Sequence, residues 1–331
     1  MLTLFLLAFT ISFFTLLGVI YYSHKYSLFI DCEQEDKPQK FHDTPVPRAG
    51  GIGIVVALMM LSMIPFGLKL IPSILLAFVS GIFEDFHNSL TPRIRIIMQV
   101  LAAVIAIWLT HSVVTYLGLG ITLPYILGVV FSIFAIVGMS NAINIIDGFN
   151  GLASGIILLI LASFAYVSFQ HHNETLLEVI SIISGATFGF FVLVFPKGKI
   201  FLGDGGAYLL GFIVALLGIF LAGTYKNVSP WYVLAVFIYP VWEVIFSILR
   251  KTYIGRSPMQ PDDYHFHMLV HRQITKHNPL TALFILTITA PFMLYATLHA
   301  KCSLCNLGVV LLFIVSYVGL YFYLYRKEMR Q

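Results

Sequence analysis

Charge is what this chain has least of. Only 10% of its 331 residues are Asp, Glu, Lys or Arg, against about 25% in a soluble domain. A water-soluble globule is therefore excluded. Cysteine is scarce as well: there are three, and Cys302 and Cys305 form the one C-x-x-C. The absence of a second pair counts against structural zinc, and no βαβ context surrounds it to suggest thioredoxin-like chemistry. The pair reads either as a disulfide or as two ordinary thiols, and Cys32 as a lone thiol. There is no phosphate-binding G-x-x-x-x-G-K-S/T loop and no H-E-x-x-H zinc motif. No Lys or Arg precedes the first apolar run, Leu2 to Tyr22. That run is too long for a signal-peptide core, so it is expected to be a retained transmembrane helix.

What is present is apolar sequence: 59% of residues are hydrophobic, in runs long enough to cross a bilayer. The pattern predicts an all-α, polytopic integral membrane bundle of about eleven helices. They run roughly over 2–22, 49–67, 70–83, 94–117, 123–140, 152–169, 176–195, 206–223, 230–249, 279–298 and 307–325. A tight turn over Pro65 to Leu70 would make the second and third a hairpin. Residues 1–331 read as a single membrane-embedded domain.

This topology sorts the charges. Sixteen of the nineteen basic residues fall on one side, with only Lys69, Lys226 and Lys301 on the other. The positive-inside rule makes the first side cytoplasmic, placing the amino terminus outside and the carboxyl terminus inside. The net charge of +4 is then an orientation signal and gives no reason to expect nucleic acid. Among the fifteen acids only Glu174 and Glu178 fall in an outer loop. Any chemistry belongs to the cytoplasmic loops 23–48, 84–93, 141–151, 196–205 and 250–278.

Five cytoplasmic segments are unusually polar. HDTPVPRAGG (42–51) is either a stiff loop with an anchoring charge or a phosphate contact through Arg48. FEDFHNSLTPRIR (83–95) puts Glu84 and Asp85 at a helix C-terminus, which disfavours negative charge. Either Arg93 and Arg95 solvate them, or a metal or cationic partner is implied. NAINIIDGFNGLA (141–153) spaces Asn141, Asn144 and Asp147 three apart, on one broad helical stripe, followed by Asn150. These are hard oxygen donors of the kind Mg²⁺ takes, and interhelical hydrogen bonds are the plainer use. KGKIFLGDGGAYLLG (197–211) sets Asp204 at a helix start, as a cap or as a metal ligand beside anion-binding backbone N–H groups. GRSPMQPDDYHFHMLVHRQI (255–274) brings Arg256, His265 and His267 into one loop. Two residues apart, the histidines converge only if the backbone is irregular, and imidazoles with Arg256 suit a diphosphate. Glu243, inside the ninth helix, is costly without a partner.

Taken together and in order, these segments resemble the polyprenyl-phosphate N-acetylhexosamine-1-phosphate transferase family. EDFHNSLTPRIR is similar to its DDxxxLxPxxRL motif, NAINIIDGFNGLA to NxxNxxDGxDGL, and FLGDGGAYLLG to LGDxGxxxLG. PVWEVIFSILR followed by SPMQPDDYHFHMLVH resembles PxxD…R and SPxxPDxxHxHH. The resemblance implies transfer of a sugar-1-phosphate from a UDP-sugar to polyprenyl (undecaprenyl) phosphate, with release of UMP. It further implies Mg²⁺ (or Mn²⁺) and a multi-pass place in the bacterial inner membrane, at the start of lipid-linked envelope polysaccharide synthesis such as O-antigen. By position it implies Glu84, Asp85 and Asp147 as catalytic residues, with Asp204 and Asp147 at the metal. Arg48, Asn141, Asn144, Asn150, Arg256, His265 and His267 would hold substrate and phosphate. Glu84, Asn150 and Glu243 stand where the family has Asp, and Met268 where it has a last His. The pentapeptide branch's LHHH-type motif is missing, which favours a UDP-N-acetylaminosugar donor. Oligomeric state is open, a homodimer included. The alternative is a secondary transporter of a phosphorylated or anionic substrate. The polar groups gather at one face instead of the midplane, which weighs against it.

Overall fold

The computed structural model describes residues 1–29, 46–87, 90–257 and 262–330. Cys32, the His42–Pro45 part of the first polar segment, Asn88, Ser89 and Pro258–Pro261 lie outside the described residues. The architecture of the described residues is predominantly helical. In order it comprises α1 (Leu2–Tyr26), α2 (Gly50–Leu58), α3 (Pro65–His87), α4 (Pro92–Thr110) and α5 (Tyr125–Ile146). Then come α6 (Leu152–Gln170), α7 (Glu174–Val194), α8 (Gly203–Thr224), α9 (Pro230–Val236) and α10 (Ile238–Tyr253). The last three are α11 (Phe266–Val270), α12 (Asn278–Leu298) and α13 (Ser303–Glu328).

Among the described residues, nine helices are long and apolar enough to cross a membrane, and a bent α9–α10 pair makes ten. The expected eleven is lowered at the second position. There α2 and its 3₁₀ extension, Met59–Met63, end after 14 residues, a rise of about 21 Å, which is shorter than a hydrocarbon core. The hairpin stands, but its break falls at Ile64, whose backbone is extended (φ −116°, ψ 124°). Pro65 starts α3 and disfavours helix in the residue before it. The helix expected over 230–249 is bent by 78° between α9 and α10. Pro240 offers no N–H to Val236 and its ring crowds that carbonyl. The helix expected over 94–117 stops at Thr110. The chain then forms a small antiparallel hairpin, β1 (Tyr116–Gly118) with β2 (Ile121–Thr122).

Helix α8 is the hub. It is apolar all round, and such a helix buries itself: 89% of its spanning window lies inside the bundle, against 17% for α1. Helices α3, α5 and α2 pack on α8, and α1 packs on α7 at the periphery. Helix α10 reverses the soluble pattern. Glu243, Ser247 and Lys251, four apart, are buried, whereas Ile245, Ile248 and Leu249 are exposed. A polar stripe facing protein and an apolar one facing outward is the arrangement lipid demands. At the opposite end of the bundle a disulfide joins Cys302 and Cys305 at the start of α13, the first of the two alternatives read from sequence.

Candidate active site

The start of α2, the end of α3, the start of α4, the end of α5 and the start of α8 meet at one face. Asp204, in the first turn of α8, is at the centre. Its Oδ1 accepts from Arg48 Nη2 (3.2 Å) and Asn144 Nδ2 (3.1 Å), and its Oδ2 from Arg95 Nη1 (2.9 Å). Arg95 also reaches the Tyr208 hydroxyl at 3.3 Å and lies 4.0 Å from Glu84. The second oxygen of Glu84 is buried without a hydrogen-bond partner among the described residues.

Asp85 explains the acidic end of α3. Its two oxygens accept from the backbone N–H groups of Asp204 (2.8 Å) and Gly205 (2.9 Å). A carboxylate at one helix's C-terminus thereby caps another's N-terminus, where the dipole welcomes it. Asp204 is not the cap, and these two N–H groups, read from sequence as an anion cradle, are already filled. Gly203 has φ +75°, and a Cβ there would lie 2.7 Å from the Asp85 carboxylate. Only glycine satisfies both the left-handed backbone and the close approach. Arg48 is held by its main chain. It forms a parallel bridge with Phe201, Phe201 N donates to Pro47 O, and Gly50 N donates to Phe201 O.

Asp147 follows the last turn of α5. Its carboxylate has no hydrogen-bond or ion-pair partner among the described residues. Burial pushes its carboxyl up to about 7; Arg48 opposes this, and Asp204 and Asp85 add to it. The other polar groups of that stretch are used differently. Asn141 Nδ2 donates to Gln99 Oε1 (2.7 Å) and Val137 O (2.8 Å), tying α5 to α4. Asn150, 4% exposed, donates its Nδ2 to Pro196 O (3.0 Å), and its backbone N–H goes to Asn278 Oδ1 (2.8 Å). It clasps the 148–151 turn to the α7–α8 loop and to α12. An Asn150→Asp protein would face the Pro196 carbonyl with a second acceptor. It is expected to lose about 1–3 kcal/mol of stability, read as a lower thermal midpoint in detergent. An unchanged midpoint would refute the clasp.

The histidine loop packs against the same turn. His265 precedes α11 with extended backbone (φ −65°, ψ 147°). This irregularity stacks its ring on His267, with centroids 5.3 Å apart and an interplanar angle of 2°. His267 is wholly buried and meets Phe149 edge-on at 5.7 Å. Its Nδ1 lies 3.3 Å from the Tyr239 hydroxyl, and its Nε2 has no hydrogen-bond partner among the described residues. Burial lowers the ring to about 4, against an ordinary value near 6.5. Between those values the unfolded chain takes up a proton that the fold refuses. The His267 contribution to stability therefore falls as pH drops through this window, by about 3 kcal/mol in all. A His267→Gln protein should show a shallower loss of thermal midpoint from pH 7 to pH 5. A parallel loss in both proteins would contradict it. Arg250 pairs with Asp262 and lies over the rings of Tyr264 and Tyr321. Burial would raise the Asp262 carboxyl, but the Arg250 pairing outweighs it and holds the group below its usual range. Arg256 is exposed, beyond the end of α10, and its side chain makes no contact with this centre among the described residues.

The structure therefore gathers Arg48, Glu84, Asp85, Asn144, Asp147 and Asp204, with His265 and His267 on the adjoining loop. Arg95 was read only as a neighbour of the acidic pair, yet it makes the shortest hydrogen bond to the Asp204 carboxylate. Gln99, Tyr208 and Asn278 were missed, for ordinary polar residues near helix ends carry no local signature. No group of three or more His, Cys, Asp or Glu converges as a preformed metal site among the described residues. The donor chemistry nonetheless fits a divalent cation. Four carboxyl groups face two guanidinium groups, one carboxylate is unpartnered, and the available oxygens are hard.

A helical membrane bundle with carboxylates and arginines focused at one face defines a membrane-embedded polar site. The sequence profile described as Glycosyl transferase family 4 matches residues 68–222. The undecaprenyl-phosphate alpha-N-acetylglucosaminyl 1-phosphate transferase of Thermotoga maritima is 30% identical over 254 residues, covering 75% of this chain and 76% of the relative. A Bacillus subtilis protein named "Probable undecaprenyl-phosphate N-acetylglucosaminyl 1-phosphate transferase" is 28% identical, with 78% and 75% covered. The phospho-N-acetylmuramoyl-pentapeptide-transferase of Lactococcus lactis is 28% identical, with 77% and 84% covered. The chain belongs to glycosyl transferase family 4.

Proposed function

We propose that this protein transfers a sugar-1-phosphate from a UDP-N-acetylaminosugar to undecaprenyl phosphate, at the cytoplasmic face of a bacterial membrane, releasing UMP. The observation that carries the reading is Asp204, held between Arg48, Arg95 and Asn144, beside the unpartnered Asp147. The names of the relatives support the same acceptor.

Two anions have to meet in this reaction. An oxygen of the lipid phosphate attacks the sugar-linked phosphorus of the nucleotide, the bond from that phosphorus to the bridging oxygen breaks, and UMP leaves. Phosphoryl transfer of this kind is driven by positioning and charge stabilisation. Asp204 and Asp147, with the Asn144 carbonyl, would hold Mg²⁺, which would supply charge neutralisation to the diphosphate. Arg48 would hold phosphate oxygens, and His265 would line the nucleotide side with the buried His267 ring stacked against it. Glu84 would orient the lipid phosphate. A phosphate monoester has a second pKa of roughly 6, so the acceptor is mostly dianionic at pH 7 and a general base contributes little.

The test is a panel of UDP-sugars with undecaprenyl phosphate and purified protein, following UMP and lipid-linked product. UMP release confined to N-acetylated amino sugars supports the reading. Uptake of an anionic substrate into liposomes without UMP release supports transport instead.

A further inference from the structure

We infer that Glu243 is a positioning residue that fixes the tautomer and orientation of His265. The inference rests on the reading of His265 as a substrate-facing group. Glu243 is 1% exposed, inside α10. Its Oε1 faces His265 Nδ1 at 2.9 Å and accepts from Phe266 N–H at 3.0 Å, and its Oε2 accepts from the Tyr317 hydroxyl at 2.8 Å. A carboxylate only accepts, so the ring nitrogen facing it carries the proton. His265 Nε2 is thereby left as the free edge, with no hydrogen-bond partner among the described residues.

The carboxylate is thus fully used inside the protein and does not itself reach substrate. Tyr317 comes from α13 and Glu243 from α10, so two helices fix one imidazole. The ring is further held by its stack on His267. Such a pairing decides which ring nitrogen faces a phosphate oxygen and in what direction. Loss of an orienting partner of this kind typically costs about 10–100-fold in activity at comparable sites.

The test combines kinetics with a readout independent of turnover. E243Q should lower kcat about 10–100-fold and leave the KM for UDP-sugar nearly unchanged. In an H265Q background E243Q should add no further loss, because its effect acts through that ring. Nitrogen-15 spectra of histidine-labelled protein, with H265Q identifying the signal, should show Nδ1–H for His265 and lose that tautomer in E243L, whose side chain offers no acceptor, while E243Q keeps an acceptor oxygen but loses the charge. Y317F, which keeps the ring contact, should cost about threefold and serves if E243Q does not fold. A wild-type kcat in E243Q, or in Y317F where E243Q does not fold, an equal extra loss in the H265Q background, or an Nε2–H tautomer would overturn the inference. A wild-type protein that transfers nothing, yet shows the Nδ1–H signal, would sink the proposed reaction and leave the Glu243–His265 pairing standing.

Discussion

An Asp204→Asn protein is expected to lose about a thousandfold or more in UMP release, with Glu84→Gln falling only about tenfold. The difference follows from what each carboxylate meets. Asp204 accepts from three side chains, two of them guanidinium groups. An amide in its place keeps one oxygen and turns an NH₂ toward a donor, either Arg95 or the Arg48–Asn144 pair. The site loses a charge and one of its two arginines loses its anchor. Among the described residues Glu84 has one ion pair, at 4.0 Å, and an unpartnered oxygen, so its amide is tolerated. Equal residual activities in the purified proteins would remove Asp204 from the centre of the reaction.

Asp85→Ala should cost the second-largest amount, and in stability as well as activity. It strips two buried backbone N–H groups of their acceptor at the start of α8. Each unsatisfied group costs about 1–3 kcal/mol, and loss of a helix cap alone costs about 1. A fall of about 3 kcal/mol is expected, seen as a lower thermal midpoint, with turnover dropping in parallel as Asp204 shifts. Asp85→Asn keeps one acceptor and should fall between. A protein that loses turnover at an unchanged midpoint would show that Asp85 acts chemically and not as a cap.

The spans were legible because bilayer thickness imposes a length that composition reveals. The shared polar face was legible because charges sort by loop. Asp85 shows the limit. Its position at a helix C-terminus signalled a partner, but the partner is backbone 119 and 120 residues away, and no local pattern encodes that. Asn141 and Asn150 show another. An asparagine that ties helices and one that touches substrate occupy the same spacing, and only three-dimensional neighbours separate them. Arg256 shows a third, since a loop residue's reach is set by where the preceding helix ends. The breaks at Ile64 and Phe237 were written in Pro65 and Pro240, whose effect hydropathy averages away.

Around Asp204 the helices touch main chain to main chain. A Cβ on Gly81 would fall 2.5 Å from the Asp204 carbonyl carbon, and α2 donates Gly50 and Gly51 N–H to the carbonyls of Phe201 and Leu202. Contacts of this kind have no rotamers and leave nothing to retune by substitution. The histidine loop is the opposite, built from side-chain bonds among Glu243, Arg250, Asp262, His265 and Tyr317. An effort to redirect the protein to a different sugar has its adjustable parts in 250–278. The helix junction beneath works as a fixed jig, and a combinatorial library is best spared from it.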